Sequence, residues 1–144
     1  MQYFCLESGK IIVMHLKKGE LVLESITEQF AKMGIKNAVL MSSVGSFRKI
    51  SFHYITKTSD EPADEFVLLE DAVELGSMQG MIINGEPHFH LVCSAASTGR
   101  CYTGHLENGS EVQYLMELSF LVIDGQHSLT RKKDSHGISY IDLQ

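Results

Sequence analysis

The stretch Gly85–Gly109, GEPHFHLVCSAASTGRCYTGHLENG, decides the fold, because it reads as one β-hairpin carrying its chemistry on a single face. Phe89–Ala95 and Arg100–Leu106 are strand-like runs, and AASTGR between them has turn composition. His88 and His90 are two residues apart, so on a strand both imidazoles leave the same face while Phe89 points the other way. A hairpin centred between Ser97 and Thr98 sets His90 opposite His105, with His88 on the adjacent diagonal. Opposed side chains on one face have Cβ atoms about 4.5–5.5 Å apart, and the diagonal is about 7 Å. Three imidazoles can then converge on one cation, about 2.0–2.1 Å from each nitrogen. A slip of one residue would turn His105 to the opposite face and abolish the cluster. The alternative is three partly exposed histidines on a polar sheet face. If a metal binds, imidazole ligands favour zinc, with nickel, copper and iron also compatible. Three protein ligands leave a fourth position open to water, a ligand or a neighbouring subunit.

Strand-like segments continue on both sides of this hairpin. Upstream are Gln2–Glu7 and Lys10–Leu16, with Ser8-Gly9 as a tight turn between them, then Lys36–Ser43 and Arg48–Ile55, interrupted by Gly45. Phe66–Leu69, Val73–Ser77 and Met81–Ile83 follow, and downstream come Val112–Ile123 and a last candidate in Ser128–Arg131. One segment departs from the period of two. In GELVLESITEQFAKMG, Val22, Ile26, Phe30 and Met33 recur at helical spacing, which predicts a helix over about residues 20–33. Glu20 suits its positive end, Lys32 its last turn, and Gly34 a left-handed stop. The polar stretches Thr56–Glu65 and Arg131–Gly137 read as exposed loops or turns.

Many short strands and one helix predict an α+β fold: a strongly bent antiparallel sheet or partial barrel with a helix packed across it. Val112–Ile123 is apolar on both faces, with Tyr114, Met116 and Phe120 on one and Leu115, Leu121 and Ile123 on the other. One short helix cannot cover both faces of a sheet. Either the sheet curls around a core or another subunit covers it, so oligomerisation is expected.

The chain of 144 residues is the size of one domain, expected to span 1–144, and 44% hydrophobic against 21% charged composition excludes intrinsic disorder. No apolar run approaches the roughly 18 residues that cross a bilayer, and MQYFCLESGK has no basic flank and apolar stretch of a signal peptide. A cytoplasmic protein without membrane association is expected. Cys5, Cys93 and Cys101 have no C-x-x-C spacing and read as small buried thiols in a reducing compartment. Net charge is −6, from 12 basic and 18 acidic residues, the opposite of the balance that grips phosphates.

The other histidines, His15, His53, His127 and His136, read as structural or solvated. Glu117 stands out as an acidic residue inside the apolar run LMELSFLVI. It reads as an exposed or interface carboxylate, or else as an acceptor that orients an imidazole or a general base near the metal.

Gly85-Glu86-Pro87-His88-Phe89-His90 followed by Gly104-His105-Leu106 resembles the plants-and-prokaryotes conserved (PPC) domain. Supporting features are the Gly19-Glu20 helix entry, the bend Ser43-Val44-Gly45-Ser46, the run Val73-Glu74-Leu75-Gly76-Ser77, and the acidic strand position Glu117. Together they cover nearly the whole chain. Thr103 stands where the family often has a second glycine. The resemblance implies a bent antiparallel sheet with one main helix, assembled as a homotrimer. It also implies that His88, His90 and His105 hold a metal, commonly zinc. Prokaryotic members carry the label of predicted DNA-binding proteins, and in plants the domain accompanies AT-hook peptides that insert Arg into the minor groove. No Arg-Gly-Arg-Pro peptide occurs here, and the only basic cluster is Arg131-Lys132-Lys133.

The expected function is a trimeric binding and assembly module with a three-histidine metal site, serving regulation through protein partners or DNA. The alternative is a metal-dependent enzyme on a small molecule, with Glu117 or Glu74 as the candidate base.

Overall fold

A two-residue turn, Asn84-Gly85, has both residues at positive φ (52° and 82°), the conformation that joins antiparallel strands most tightly. It sets the register on which the rest of the sheet is built. In the computed structural model, which describes residues 8–123 and 129–143, the chain runs β1 (Ser8–Lys17), α1 (Val22–Lys32), β2 (Ala38–Ile55), β3 (Asp64–Leu69), β4 (Val73–Ile83), β5 (Glu86–Ala95), β6 (Cys101–Leu106), β7 (Glu111–Ile123), β8 (Leu129–Lys133) and β9 (Ser139–Leu143). Seven strands form one antiparallel sheet in the order β1-β7-β2-β4-β5-β6, with β3 on β2, and β8 and β9 form a separate hairpin. The last strand of that path, β6, returns to β2 through Phe52↔Leu106 and His53↔His105. The sheet therefore curls until β2, β4, β5 and β6 close on one another. This is the expected bent antiparallel sheet with one main helix.

Closure depends on Gly104. A Cβ there would collide with the carbonyl oxygen of His53 and the ring of Phe52. A residue with a side chain would hold β6 away from β2, so glycine is what lets the two strands meet.

Alternation along β5 separates core from surface. Phe89, Leu91, Cys93 and Ala95 are buried, while His90 and Val92 between them are exposed. Helix α1 packs on the inner face through Val22, Leu23, Ile26 and Phe30. Phe30 meets Phe120 edge-on, with ring centroids 5.0 Å apart, and Phe89 approaches Phe120 from the other side at 6.3 Å. The ring of Phe89 thus anchors the strand segment that presents the two histidines outward.

Several local expectations are corrected. Ser8-Gly9 belongs to β1 and is not a turn, although the register is irregular between Ser8 and Ile11; Gln2–Glu7 lies outside the described residues. Strand β2 runs unbroken through Gly45, because Gly45 pairs with Met116 of β7. Val73–Ser77 and Met81–Ile83 are one strand, since Gly80 pairs with Leu40 on one side and Phe89 on the other. Met33 is the helix C-cap and 38% exposed; Gly34, at φ 67°, turns the chain away, and Leu23 takes the fourth buried place instead. Tyr114 does not share the burial of Met116 and Phe120 and is 73% exposed, because the β2–β7 register shifts between Gly45 and Phe47. Cys93 is buried, and burial pushes its thiol up to about 11, but Cys101 is exposed; Cys5 lies outside the described residues. Arg131–Lys133 belong to β8, the turn is confined to Asp134–Gly137, and β9 was not anticipated.

Among the described residues no helix is long and apolar enough to cross a membrane.

Candidate metal centre

The expected hairpin register is the observed one. His90 faces His105, Leu91 faces Gly104 and Ser94 faces Cys101. On its other side β5 pairs His90 with Gln79 and His88 with Met81 of β4. One nitrogen from each of His88, His90 and His105 lies within 4.8 Å of the other two. The rings of His88 and His90 stack at 5.3 Å and 21°. His105 stands edge-on to both, at 4.6 Å and 5.3 Å.

The loop that carries the hairpin is held from outside. Asp71 accepts hydrogen bonds from the backbone N–H of Ser97 (3.0 Å) and from the Ser97 hydroxyl (2.5 Å), which also lowers the Asp71 carboxyl below its usual range. This clamp resists slippage of the two histidine-bearing strands.

The electrostatics favour unprotonated imidazoles. His88 is pushed down to about 4, first by burial and then by the neighbouring charges of His105 and Arg131. His105 is likewise pushed to about 4 by burial, followed by His53, His90 and Arg131. Burial and then His53 lower His90. Neutral rings offer lone pairs, which is the form a metal requires. Ligand nitrogens around a tetrahedral zinc are roughly 3.4 Å apart. The three donors lie within 4.8 Å of one another on side chains that share one face, so the residues present fit a three-nitrogen metal site.

Two residues not assigned a role from sequence join the cluster. His53 shares a rung with His105, and their rings stack at 4.7 Å and 22°. The His53 Nδ1–H donates to Glu107 Oε1 at 2.6 Å, since a carboxylate only accepts. Phe66 covers the His53 ring from β3 at 5.0 Å. The second residue is Arg131 of β8, whose charge reaches His88 and His105. Sequence could have hinted at His53, because SFHYI alternates like a strand and Gly104 beside His105 signals a close backbone neighbour. Nothing local in RKKDSHG marked Arg131.

The acidic candidates lie elsewhere. Glu117 pairs across β1–β7 with His15, with His15 Nδ1 3.4 Å from Glu117 Oε1, on the outward face of that strand pair. Glu74 pairs with Ser94 and Ser46, five residues along β4 from Gln79, or roughly 17 Å of strand. Within the chain neither carboxylate supports the three histidines. His136 sits in the turn before β9, and His127 lies outside the described residues. A cavity of about 410 Å³ opens beside His90 and His53, walled by Ile55, Gln79, Leu91 and Thr103.

A curled antiparallel sheet with a single helix, bearing three imidazoles on one hairpin face, defines a class of small β-rich domains. The chain belongs to the Plants and Prokaryotes Conserved (PCC) domain family, the PPC domain named above, whose family model matches residues 3–123. Its fold is similar to a plant- and prokaryote-conserved protein of Pyrococcus horikoshii, at 23% identity and a TM-score of 0.81, covering 99% of this chain and 97% of that one. It is similar to a metal-containing protein of Archaeoglobus fulgidus at 26% identity and a TM-score of 0.77, covering 95% of each chain. A Bacteroides thetaiotaomicron protein for which DNA binding has been proposed aligns at 14% identity and a TM-score of 0.76, over 96% of this chain and 97% of that one. Among curated proteins none matches.

Proposed function

We propose that this chain is a trimeric binding and assembly module in which His88, His90 and His105 hold a zinc ion. The observation that carries the metal reading is the convergence of three imidazoles, with donor atoms within 4.8 Å of one another, on the adjacent strands β5 and β6. The metal content of the Archaeoglobus fulgidus relative supports it. When bound, such an ion supplies either a rigid cross-link between β5 and β6 or a Lewis-acidic position open to a ligand.

The trimer reading rests on the sheet's outward face. Ile11, Val13, Met41, Val44 and Tyr114 are exposed on β1, β2 and β7, and Val13 is 77% exposed. An apolar surface of this extent on three adjacent strands calls for a partner, and the partner we propose is a copy of the same chain, as the family resemblance implies. His15 and Glu117 lie within this face, so Glu117 is read as an interface carboxylate.

The regulatory role works through protein partners more readily than through DNA. Net charge is −6, and the only basic cluster is partly spent internally: Lys132 pairs with Asp142 at 2.6 Å and the Arg131 Nε is buried. DNA binding is carried from the Bacteroides relative as a second target and is tested by mobility shift over a salt series. No shift at low salt removes it.

A second reading, a metal-dependent enzyme on a small molecule, is favoured by one observation: the cavity that shares His90. Its base would be His53, oriented by Glu107, in place of Glu117 or Glu74.

Elemental analysis with native mass tests the main proposal, using the unmodified protein and His90→Ala. One metal per chain and a mass of three chains are expected, with His90→Ala losing metal and keeping the trimer. A metal-free protein, or a monomer, overturns the corresponding half.

A further inference from the structure

The ladder between β2 and β6 consists of Phe52↔Leu106 and His53↔His105, and both strands run on past its end. Strand β2 continues to Ile55 against β3, and β6 continues back through Thr103 to Cys101 against β5. Extending the β2–β6 register would set Tyr54 opposite Gly104 and then Ile55 opposite Thr103, but neither pair belongs to the ladder. Hydrogen-bonded and non-hydrogen-bonded pairs alternate along antiparallel strands, so the direction of each peptide group follows from its neighbours. On the β3 side Thr56 N–H donates to the Ala63 carbonyl, so Ile55, one residue back, turns its own N–H and C=O toward β6. On the β5 side Ala95 N–H donates to the Arg100 carbonyl. Thr103, an odd number of residues along from Arg100, therefore turns its N–H and C=O toward β2. Glu107 N–H, donating to the Ser51 carbonyl at 2.8 Å, fixes the same phase between β2 and β6 themselves. The sheet thus forks beyond His53 and His105, and the backbone donors and acceptors of Ile55 and Thr103 face one gap.

The cavity of about 410 Å³ lies in this fork: Tyr54 and Ile55 of β2 and Thr103 and Gly104 of β6 all line it, with Val92 of β5 and Gln79 of β4. We propose that it binds an uncharged small molecule bearing an amide beside an apolar ring or chain. An amide offers one N–H and one C=O, the groups needed to complete the missing rung between Ile55 and Thr103. The Gln79 side chain adds a further donor and acceptor. Ile55 and Val92, 72% and 42% exposed, give the apolar part of the ligand a surface to cover. The volume suits a molecule of that size. No Asp, Glu, Lys or Arg lines the cavity, so a charged ligand would lose its hydration without gaining an ion pair. This gives a ligand class to the small-molecule reading above; it rests on the cavity of that reading and on neither a metal nor catalysis.

The test titrates the full-length, nitrogen-15-labelled protein with benzamide and with benzoate, before and after chelator treatment, while amide NMR shifts and hydrogen exchange are recorded. Benzamide should shift the Ile55 and Thr103 amides saturably and slow their exchange, equally in both preparations. Benzoate, of the same size but charged, should bind at least about tenfold more weakly. Val92→Trp, which fills the cavity from a half-exposed position, should weaken benzamide by a similar factor while the rest of the spectrum stays folded. Failure of that variant to fold leaves the comparison of benzamide with benzoate in the unmodified protein as the deciding result. Absence of saturation, shifts centred away from Ile55 and Thr103, or benzoate binding as tightly as benzamide overturns the proposal. So does unchanged benzamide binding in a folded Val92→Trp protein. Binding that disappears on chelator treatment places the ligand on the metal and overturns this site, whereas the metal reading itself stands or falls on elemental analysis.

Discussion

His53 and His105 occupy one rung between β2 and β6, with their rings stacked 4.7 Å apart. The contact spans 52 positions of sequence and exists only because Gly104 lets the two backbones touch. His105 is therefore braced by a neighbour that is itself held by Glu107 at 2.6 Å.

This brace predicts a graded effect. His53→Ala should leave one metal per chain but weaken metal affinity about tenfold, the low end of what outer-shell partners contribute. Competition with a chromophoric chelator measures it. Glu107→Gln, which keeps a hydrogen-bond acceptor for His53, should weaken affinity less. An unchanged constant in both variants would mean that the stacked ring contributes no support.

Gly104→Ala should be far more damaging than its size suggests. The added methyl meets the His53 carbonyl and the Phe52 ring, and overpacking of this kind costs about 1–3 kcal/mol. Urea unfolding should report that loss of stability, and metal content should fall with it, because β6 can no longer hold His105 against β2. Retained stability with full metal content would show that β2 and β6 separate without harm.

The histidine shifts predict a pH profile. In the unfolded chain an imidazole titrates near 6.5, whereas folding holds His88 and His105 at about 4 through burial and neighbouring charge. Between those values the unfolded state binds more protons, so acid favours unfolding. Chelator-treated protein should keep its full stability above about pH 6.5, lose it progressively as pH falls, and have lost this contribution by about pH 4. Urea midpoints measured across that window check it. The same shift should let the loaded protein retain metal at about pH 5.5, where ordinary imidazoles are mostly protonated. A midpoint that is flat with pH, or that rises toward acid, contradicts the sign.

The hairpin was legible because every step in it is local: alternation puts His88 and His90 on one face, turn composition centres the loop, and the register follows. Helix α1 was legible for the same reason, from a stripe of three buried residues at spacings of four. What escaped depends on which distant strands meet. Glu117 and Glu74 looked suitable by residue type, but β7 joins β1 and β2, and Glu74 sits at the far end of β4. His53 looked ordinary until β2 was seen to pair with β6. Arg131 looked like part of a solvated turn because its partner strand β9 is only five residues long and weakly patterned.

The outward sheet face gives the last prediction. Val13 is 77% exposed and stands opposite Ser119, one step from the Glu117 that faces His15. In a trimer buried through this face, Val13→Glu would place a second carboxylate beside Glu117 in a desolvated contact. Burying an unpaired charge costs several kcal/mol, enough to shift association by more than a hundredfold. Sedimentation or native mass should then show monomers at micromolar concentration, with metal content unchanged because the three histidines lie on β5 and β6. Ile138→Glu, in the turn before β9, should leave the mass alone. A Val13→Glu protein that remains trimeric would move the interface off β1, β2 and β7 and leave their exposed apolar side chains without a partner.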